Sequence, residues 1–258
     1  MRRPRFWLLM GAVLVCAAWG QTSAAAENKT IHVTTLEWPP FTGAQMPAGG
    51  ATTKVLRQAF ADAGFDVEIV YRPWKRAIAM AKNGDESVVA YYPGYHCRHA
   101  DGFTPSEPLG TGPIGFAENV DRPLVWNSLD EIGEQKLKIG TVLGYANTDE
   151  FDAKAGTGWI RAIPAKDDVT NLKKLVRGRI DAAVIDRTVL SYLMATDPQL
   201  KSARDRIQFN AKPLEEKTLY LCFNEEHTPD GLLEAFNEAV TAIDVEGVVE
   251  QYFNEAFN

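Results

Sequence analysis

Apolar and polar positions along this chain repeat a strand–helix rhythm. Residues 31–35 read as a strand that stops at the Pro39-Pro40 pair, and 52–63 read as a helix stopped by Gly64. Residues 66–72 alternate, which places Val67, Ile69 and Tyr71 on one face of a second strand. Pro73 opens a helix that runs through residue 81 and is closed by Asn83-Gly84, and residues 87–91 form the next strand. This β-α-β-α-β order is that of a sheet with crossover helices.

The rhythm returns in the second half. A short strand at 137–140 precedes a helix near 147–155, a helix at 168–177, a buried strand at 181–185 and a helix at 187–195. A strand at 219–223 and helices across 229–257 close the chain. Two α/β halves therefore share one chain with no low-complexity linker and no exact internal repeat. The extended segments 112–118 and 206–212 are the candidates for crossing between them. The tail beyond Lys212 is too short for a domain and must pack back, most simply onto the first half.

The N-terminus bears on the compartment. Arg2, Arg3 and Arg5 precede an apolar run over 6–19 and the small residues Ser23 to Ala26, the layout of a secretory signal peptide spanning residues 1–26. The run is short of the roughly 20 residues that a membrane span requires. Cys16 follows Val15, whereas lipoprotein processing wants a small residue there, so a soluble periplasmic product is expected. The chain has 258 residues, 27 basic against 34 acidic, and a net charge of −7. An acidic surface argues against nucleic acid as a partner, because that binding rests on Lys and Arg neutralising phosphates.

Beyond the signal, the cysteines are Cys97 and Cys222. An oxidising compartment permits a disulfide between them, and two buried free thiols are an equal alternative at this level. The four histidines are scattered and no Cys/His group has metal-ligand spacing, so no metal or cofactor is expected. There is no G-x-S-x-G, H-E-x-x-H or P-loop motif, and no catalytic residue is nominated.

Five segments in order carry a family resemblance. They are Leu36-Glu37-Trp38-Pro39-Pro40-Phe41; Trp74-Lys75-Arg76-Ala77 running into Lys82-Asn83-Gly84; and Phe103-Thr104-Pro105-Ser106-Glu107-Pro108-Leu109. Ser128-Leu129-Asp130 leading to Lys138–Gly144 is the fourth, and Arg177-Gly178-Arg179-Ile180 through Asp186 the fifth. Together the chain resembles extracellular solute-binding protein family 3, the polar amino-acid periplasmic binding proteins of ABC transporters. The resemblance implies an α/β, two-lobed type II periplasmic-binding fold, each lobe a mixed sheet flanked by helices, joined by two hinge strands. Lobe 1 is expected over 27–115 and 211–258, and lobe 2 over 116–210. It also implies a monomer that closes on a small amino-acid-like ligand and meets an ABC permease in the inner membrane.

Residue by residue, the resemblance nominates a ligand site. Arg98 corresponds to the carboxylate-binding arginine, a role suited to a planar fork of donors, although its spacing to Phe103 is one residue short of the pattern. Asp186 matches the carboxylate that receives the ligand ammonium, and it is equally suited to cap the helix that follows. Trp38 sits where an aromatic ring covers the ligand, and Tyr91 ends the third strand at the cleft-facing edge. Gly144 and Tyr145 match the loop whose backbone amides meet the ligand carboxylate. Trp74 and Arg76 read better as core packing and surface charge, and Asp181 as structural.

Departures from the pattern bear on the ligand. The stretch Tyr92-Pro93-Gly94-Tyr95-His96-Cys97 lacks the usual hydroxyls before the arginine, and Tyr145-Ala146 replaces a Ser/Thr pair. The ligand is thus an amino acid or a related polar solute. Two other classes share the resemblance. One is a cleft enzyme like cyclohexadienyl dehydratase, for which Glu37, Glu107 or His96 would supply the acid–base group; the other is a stand-alone periplasmic sensor.

Overall fold

The computed structural model describes residues 29–257, so the expected signal peptide and Cys16 lie outside the described residues. The first half follows the hydrophobic pattern closely: β1 (Lys29–Thr35), α1 (Ala51–Asp62), β2 (Phe65–Tyr71), α2 (Trp74–Asn83) and β3 (Val88–Gly94). Gly84 ends α2 because it takes a left-handed φ of 66° while its N–H reaches Met80 O. Strand β3 is buried along its whole length and runs three residues past the expected end, through Pro93. A short β4 (Phe103–Pro105) follows.

The second half begins with β5 (Thr111–Asn119), α3 (Leu129–Glu134), β6 (Lys138–Val142), α4 (Asp149–Gly156) and β7 (Arg161–Ala165). It continues with α5 (Asp168–Val176), β8 (Ala182–Asp186), α6 (Arg187–Thr196), β9 (Ile207–Phe209) and β10 (Glu215–Thr218). Side-chain caps start its helices: Ser128, Thr148, Asp167 and Asp186 accept from backbone N–H groups of α3, α4, α5 and α6. Strands β6, β7 and β8 are parallel neighbours, and β5 runs antiparallel to β8, β9 and β10. Their sheet is ordered β10-β5-β8-β6-β7, with β9 also on β5. Edge strand β7 was not expected from the pattern; its Pro164 masks a strand signal, and an edge is where proline is tolerated.

The chain then returns to the first half as β11 (Tyr220–Asn224), α7 (Leu232–Ala242) and α8 (Val245–Phe257). Strand β11 inserts between β3 and β4, giving a first sheet ordered β2-β1-β3-β11-β4. Its register on β3 shifts between Tyr220 and Cys222, opposite Pro93, and a bulge is where a strand accommodates a residue without an N–H. The tail packs on the first lobe as expected. Phe236 of α7 lies 4.6 Å from Phe60 and 5.5 Å from Phe223, in a core with Val33, Leu56 and Leu221.

The crossings between the sheets differ from the expected ones. Residues 112–118 lie within β5 and 206–212 contain β9, both in the second sheet, where Ile114 and Phe116 are buried in the core of that lobe. The chain crosses instead at 106–110 and at Leu219, outside the expected boundaries at 115/116 and 210/211. The two crossings are bonded to each other: Leu109 N–H donates to Leu219 O at 2.8 Å, and Leu219 N–H to Gly110 O at 2.9 Å.

Truncating a fully buried aromatic tests how the tail is docked. Phe236→Ala is expected to lower unfolding free energy by about 3–5 kcal/mol, measured by urea denaturation. A loss below about 1 kcal/mol would show that α7 is not part of the first core.

Candidate functional site

Ligands in open α/β sheets sit beyond the carboxyl ends of the strands, and here those ends converge from both sheets. A cavity of about 600 Å³ lies between the lobes, within the roughly 300–1,000 Å³ range of small-molecule sites. Leu36 and Trp38 reach it from the segment after β1, and Tyr91, Pro93 and Gly94 from the end of β3. Gly144, Tyr145 and Ala146 reach it from the loop after β6 in the other lobe. The loop 95–101 contributes Tyr95, His96, Arg98 and Asp101.

Aromatic rings form the walls. Trp38 stacks on Phe41 at 4.7 Å and meets the edge of Tyr95 at 6.1 Å. Tyr91 is edge-on to Trp74 at 5.4 Å and to Phe103 at 4.8 Å. Burial, with the Asp101 carboxylate adding to it, pushes the Tyr91 phenol up to about 12, so it is a neutral hydroxyl at physiological pH.

Charge is distributed around this apolar frame. Arg98 is exposed and pairs through Nε with Asp101 Oδ2 at 2.8 Å. A guanidinium has five N–H donors, so a ligand carboxylate can still be held by others. Lys82 adds a second cation, and Asp149 and Asp152 of α4 add carboxylates from the opposite lobe. Asp152 already accepts from the backbone and side-chain nitrogens of Asn147 at 2.8 and 2.7 Å, whereas Asp149 is almost fully exposed. His96 Nε2 lies 3.8 Å from Asp149 Oδ1 and 3.3 Å from Lys217 Nζ of β10, both across the lobes.

The lobes touch closely at Gly144. It has a φ of +89°, and a side-chain carbon there would lie 2.7 Å from Lys75 Cγ, whose stem passes over from α2. Glycine at this position therefore supplies both the turn and the clearance.

Five of the six expected site residues, Trp38, Tyr91, Arg98, Gly144 and Tyr145, come together on the cavity. Asp186 is not among the lining residues. It is buried at the start of α6, where Oδ1 accepts from Thr188 N–H at 2.7 Å and Val189 N–H at 3.0 Å. Its Oδ2 has no hydrogen-bond partner among the described residues. A second buried carboxyl, Asp168, accepts weakly from Tyr145 Oη at 3.4 Å. Burial raises both carboxyls to about 7, and each raises the Tyr95 phenol, which burial already holds well above 10. Two acids thus stand behind the tyrosines of the cavity wall.

Several lining residues were not nominated from the sequence. Trp74, Ile78 and Lys82 are spaced i, i+4, i+8, so one face of α2 lines the site, and that spacing was the available signal. Asp149 and Asp152 share a face of α4 in the same way. Of the three acid–base candidates only His96 lines the cavity; Glu37 accepts from Ala44 N–H, and Glu107 is tied through its backbone to Asn237.

No family model matches the chain, and no curated protein matches it. Solved structures do. A histidine kinase sensor domain described as similar to periplasmic binding proteins has a TM-score of 0.72 at 17% identity, covering 88% of this chain and 96% of that one. An amino acid ABC transporter substrate-binding protein from Streptococcus pneumoniae, bound to L-arginine, has a TM-score of 0.68 at 14% identity, covering 88% and 94%. An ancestral amino acid-binding protein, described as a precursor of cyclohexadienyl dehydratase, has a TM-score of 0.66 at 18% identity, covering 89% and 96%. The chain therefore has the two-lobed, type II periplasmic-binding fold.

The buried acids make stability depend on pH. Unfolded, Asp168 loses its proton near the ordinary aspartate value of 3.8; folded, it does so at about 7. Between those values the folded state holds the extra proton, so this contribution to stability falls as pH rises through the window and is constant above it. Asp168→Asn removes this dependence, worth about 4 kcal/mol across the window. Melting curves from pH 4.5 to 8 should show the variant gaining on the wild type as pH rises; parallel curves would contradict the assignment.

Proposed function

We propose that this chain is an exported receptor that closes its two lobes on one small amino-acid-like solute and delivers it to an inner-membrane ABC permease. The observation that carries this reading is the cavity itself: it needs both lobes for its lining and combines aromatic walls with charges of both signs. The signal-like N-terminus supports a periplasmic location, and a disulfide between Cys97 and Cys222 suits the same oxidising compartment.

In this reading Arg98, assisted by Lys82, takes the ligand carboxylate through charge-assisted hydrogen bonds. The backbone amide of Gly144 approaches the same group from the other lobe, whereas the Tyr145 amide is held within the turn by Val142 O at 3.1 Å. Trp38 and Tyr91, with Trp74 and Phe103, surround the less polar part of the ligand. Asp149, at the first turn of α4, meets the ammonium directly; Asp186 acts on it through the field behind Tyr95 and not by contact. Closure is a rotation about the paired crossings at 106–110 and Leu219, a hinge motion of the kind known in periplasmic binding proteins. A ligand that bridges the lobes favours the closed form by its difference in affinity for the two forms.

His96 favours one further reading, because it is the acid–base group that lines the cavity: a dehydratase acting on a cyclohexadienyl acid. Turnover of prephenate or arogenate would establish that reading and remove the receptor one. A sensor role shares the same ligand site and differs only in what reads the closed form.

A thermal-shift screen over amino acids, opines, polyamines and small acids tests the ligand class. A ligand at a thousand times its Kd adds about 4 kcal/mol, a shift of several degrees. Arg98→Ala is expected to weaken binding of the amino acid found by at least about tenfold, the loss of one charge-assisted hydrogen bond. If amines alone shift the melt and Arg98→Ala changes nothing, the carboxylate assignment fails.

Closure has its own test. Gly144→Ala should weaken binding by roughly tenfold in isothermal titration, because the left-handed turn and the Lys75 stem both oppose a methyl group. Unchanged affinity would show that the lobes do not need this close approach.

A further inference from the structure

We propose that the Cys97–Cys222 disulfide is the positioning element of the ligand site, holding the loop that presents His96 and Arg98 to the cavity. The inference rests on the receptor reading for what the loop contacts, and on the geometry alone for what holds the loop.

The bond joins residues 125 apart in sequence whose Cα atoms are 5.2 Å apart. Cys97 stands between His96 and Arg98, both of which line the cavity. Residues 95–98 belong to no helix or strand, between the end of β3 and the short turn at His99–Asp101. Cys222 is in the middle of β11, paired with Tyr91 of β3 on one side and Pro105 of β4 on the other. The bond therefore ties an irregular segment to a strand that is buried from Leu221 to Asn224 and held from both sides.

Tyr95 packs against Trp38. Arg98 pairs with Asp101 within the loop itself, accepting from its N–H at 2.9 Å and donating to its Oδ2 at 2.8 Å; the other ties from His96 and Arg98 to the rest of the protein are long. Tyr91 Oη donates to His96 O at a long 3.4 Å, and Phe103 N–H donates to Arg98 O at 3.2 Å. Lys217 Nζ lies 3.3 Å from His96 Nε2, a contact that depends on the imidazole being neutral.

The surroundings of the sulfurs are also those of the cavity. Cys222 is buried with Ala81, Val88, Tyr91 and Phe103, and Cys97, Trp74 and Ile78 pack against that group. Four of these, Trp74, Ile78, Tyr91 and Phe103, line the cavity as well. Gly94 leaves the room: a side-chain carbon there would fall on Cys222 Sγ and approach Cys97 Sγ. The disulfide thus lies directly under the aromatic floor, and its loss frees the cation at the floor's edge.

Because β11 is paired on both sides, the strands keep their structure without the bond. The test is native-state hydrogen exchange read segment by segment, comparing the oxidised wild type with Cys97→Ser/Cys222→Ala. Should that double variant not fold, wild type reduced with dithiothreitol takes its place. At least tenfold faster exchange confined to residues 95–102, with β3 and β11 protected, is the expected result. Unchanged exchange there, or equal acceleration across β3 and β11, overturns the proposal, the latter showing a staple of the fold.

The second arm is titration with each common L-amino acid in turn. At least tenfold weaker binding by the variant of any amino acid that the wild type binds supports the proposal, and equal affinity overturns it. If the oxidised wild type binds none of them, the receptor reading fails on its own, while the exchange pattern still decides whether the bond holds the loop.

Discussion

Two backbone hydrogen bonds, from Leu109 to Leu219 and from Leu219 to Gly110, hold the two lobe crossings side by side. Everything functional depends on that pairing. The crossings are short, so the sheets must face each other across a narrow gap, and the C-terminal ends of β1, β3 and β6 open into it. A pair of hydrogen-bonded extended segments resists sliding but accommodates rotation, which is what a cleft needs in order to open and close around a fixed register.

The cleft shows how a stable frame carries groups that do not stabilise it. The cores under each lobe are apolar and closely packed, while the cavity wall sets aromatic rings against charged residues from both lobes. Asp168 and Asp186 are buried near tyrosines and, among the described residues, neither forms an ion pair. A buried carboxylate without a cation is costly, and raising its affinity for a proton is the usual outcome. Such groups at a lobe interface are a common mark of a site shaped for a ligand and not for stability alone.

Much of this was legible in the sequence, and the exceptions have physical causes. Helices with clear periodicity and a glycine or aspartate at an end, such as α1, α2 and α6, were placed to within a residue or two. Strand β7 was missed because Pro164 interrupts an edge strand, and β5 and β9 were read as crossings because sheet membership is a tertiary property. Trp38, Tyr91, Arg98, Gly144 and Tyr145, which line one cavity, were nominated through ordered motifs. Asp186 matched a motif equally well, yet its carboxylate is turned to the N–H groups of α6, a choice between two partners that spacing cannot express. The Cys97–Cys222 bond was left open for a similar reason, since a Cα separation of 5.2 Å between residues so far apart is decided by the fold.

The central claim is that one ligand is held by both lobes at once. A crystal structure with the amino acid that most raises the melting temperature tests it most directly. The account predicts density between Trp38 and the Gly144-Tyr145 loop, with the carboxylate on Arg98. Density touching one lobe only, or lying outside this cavity, would contradict it.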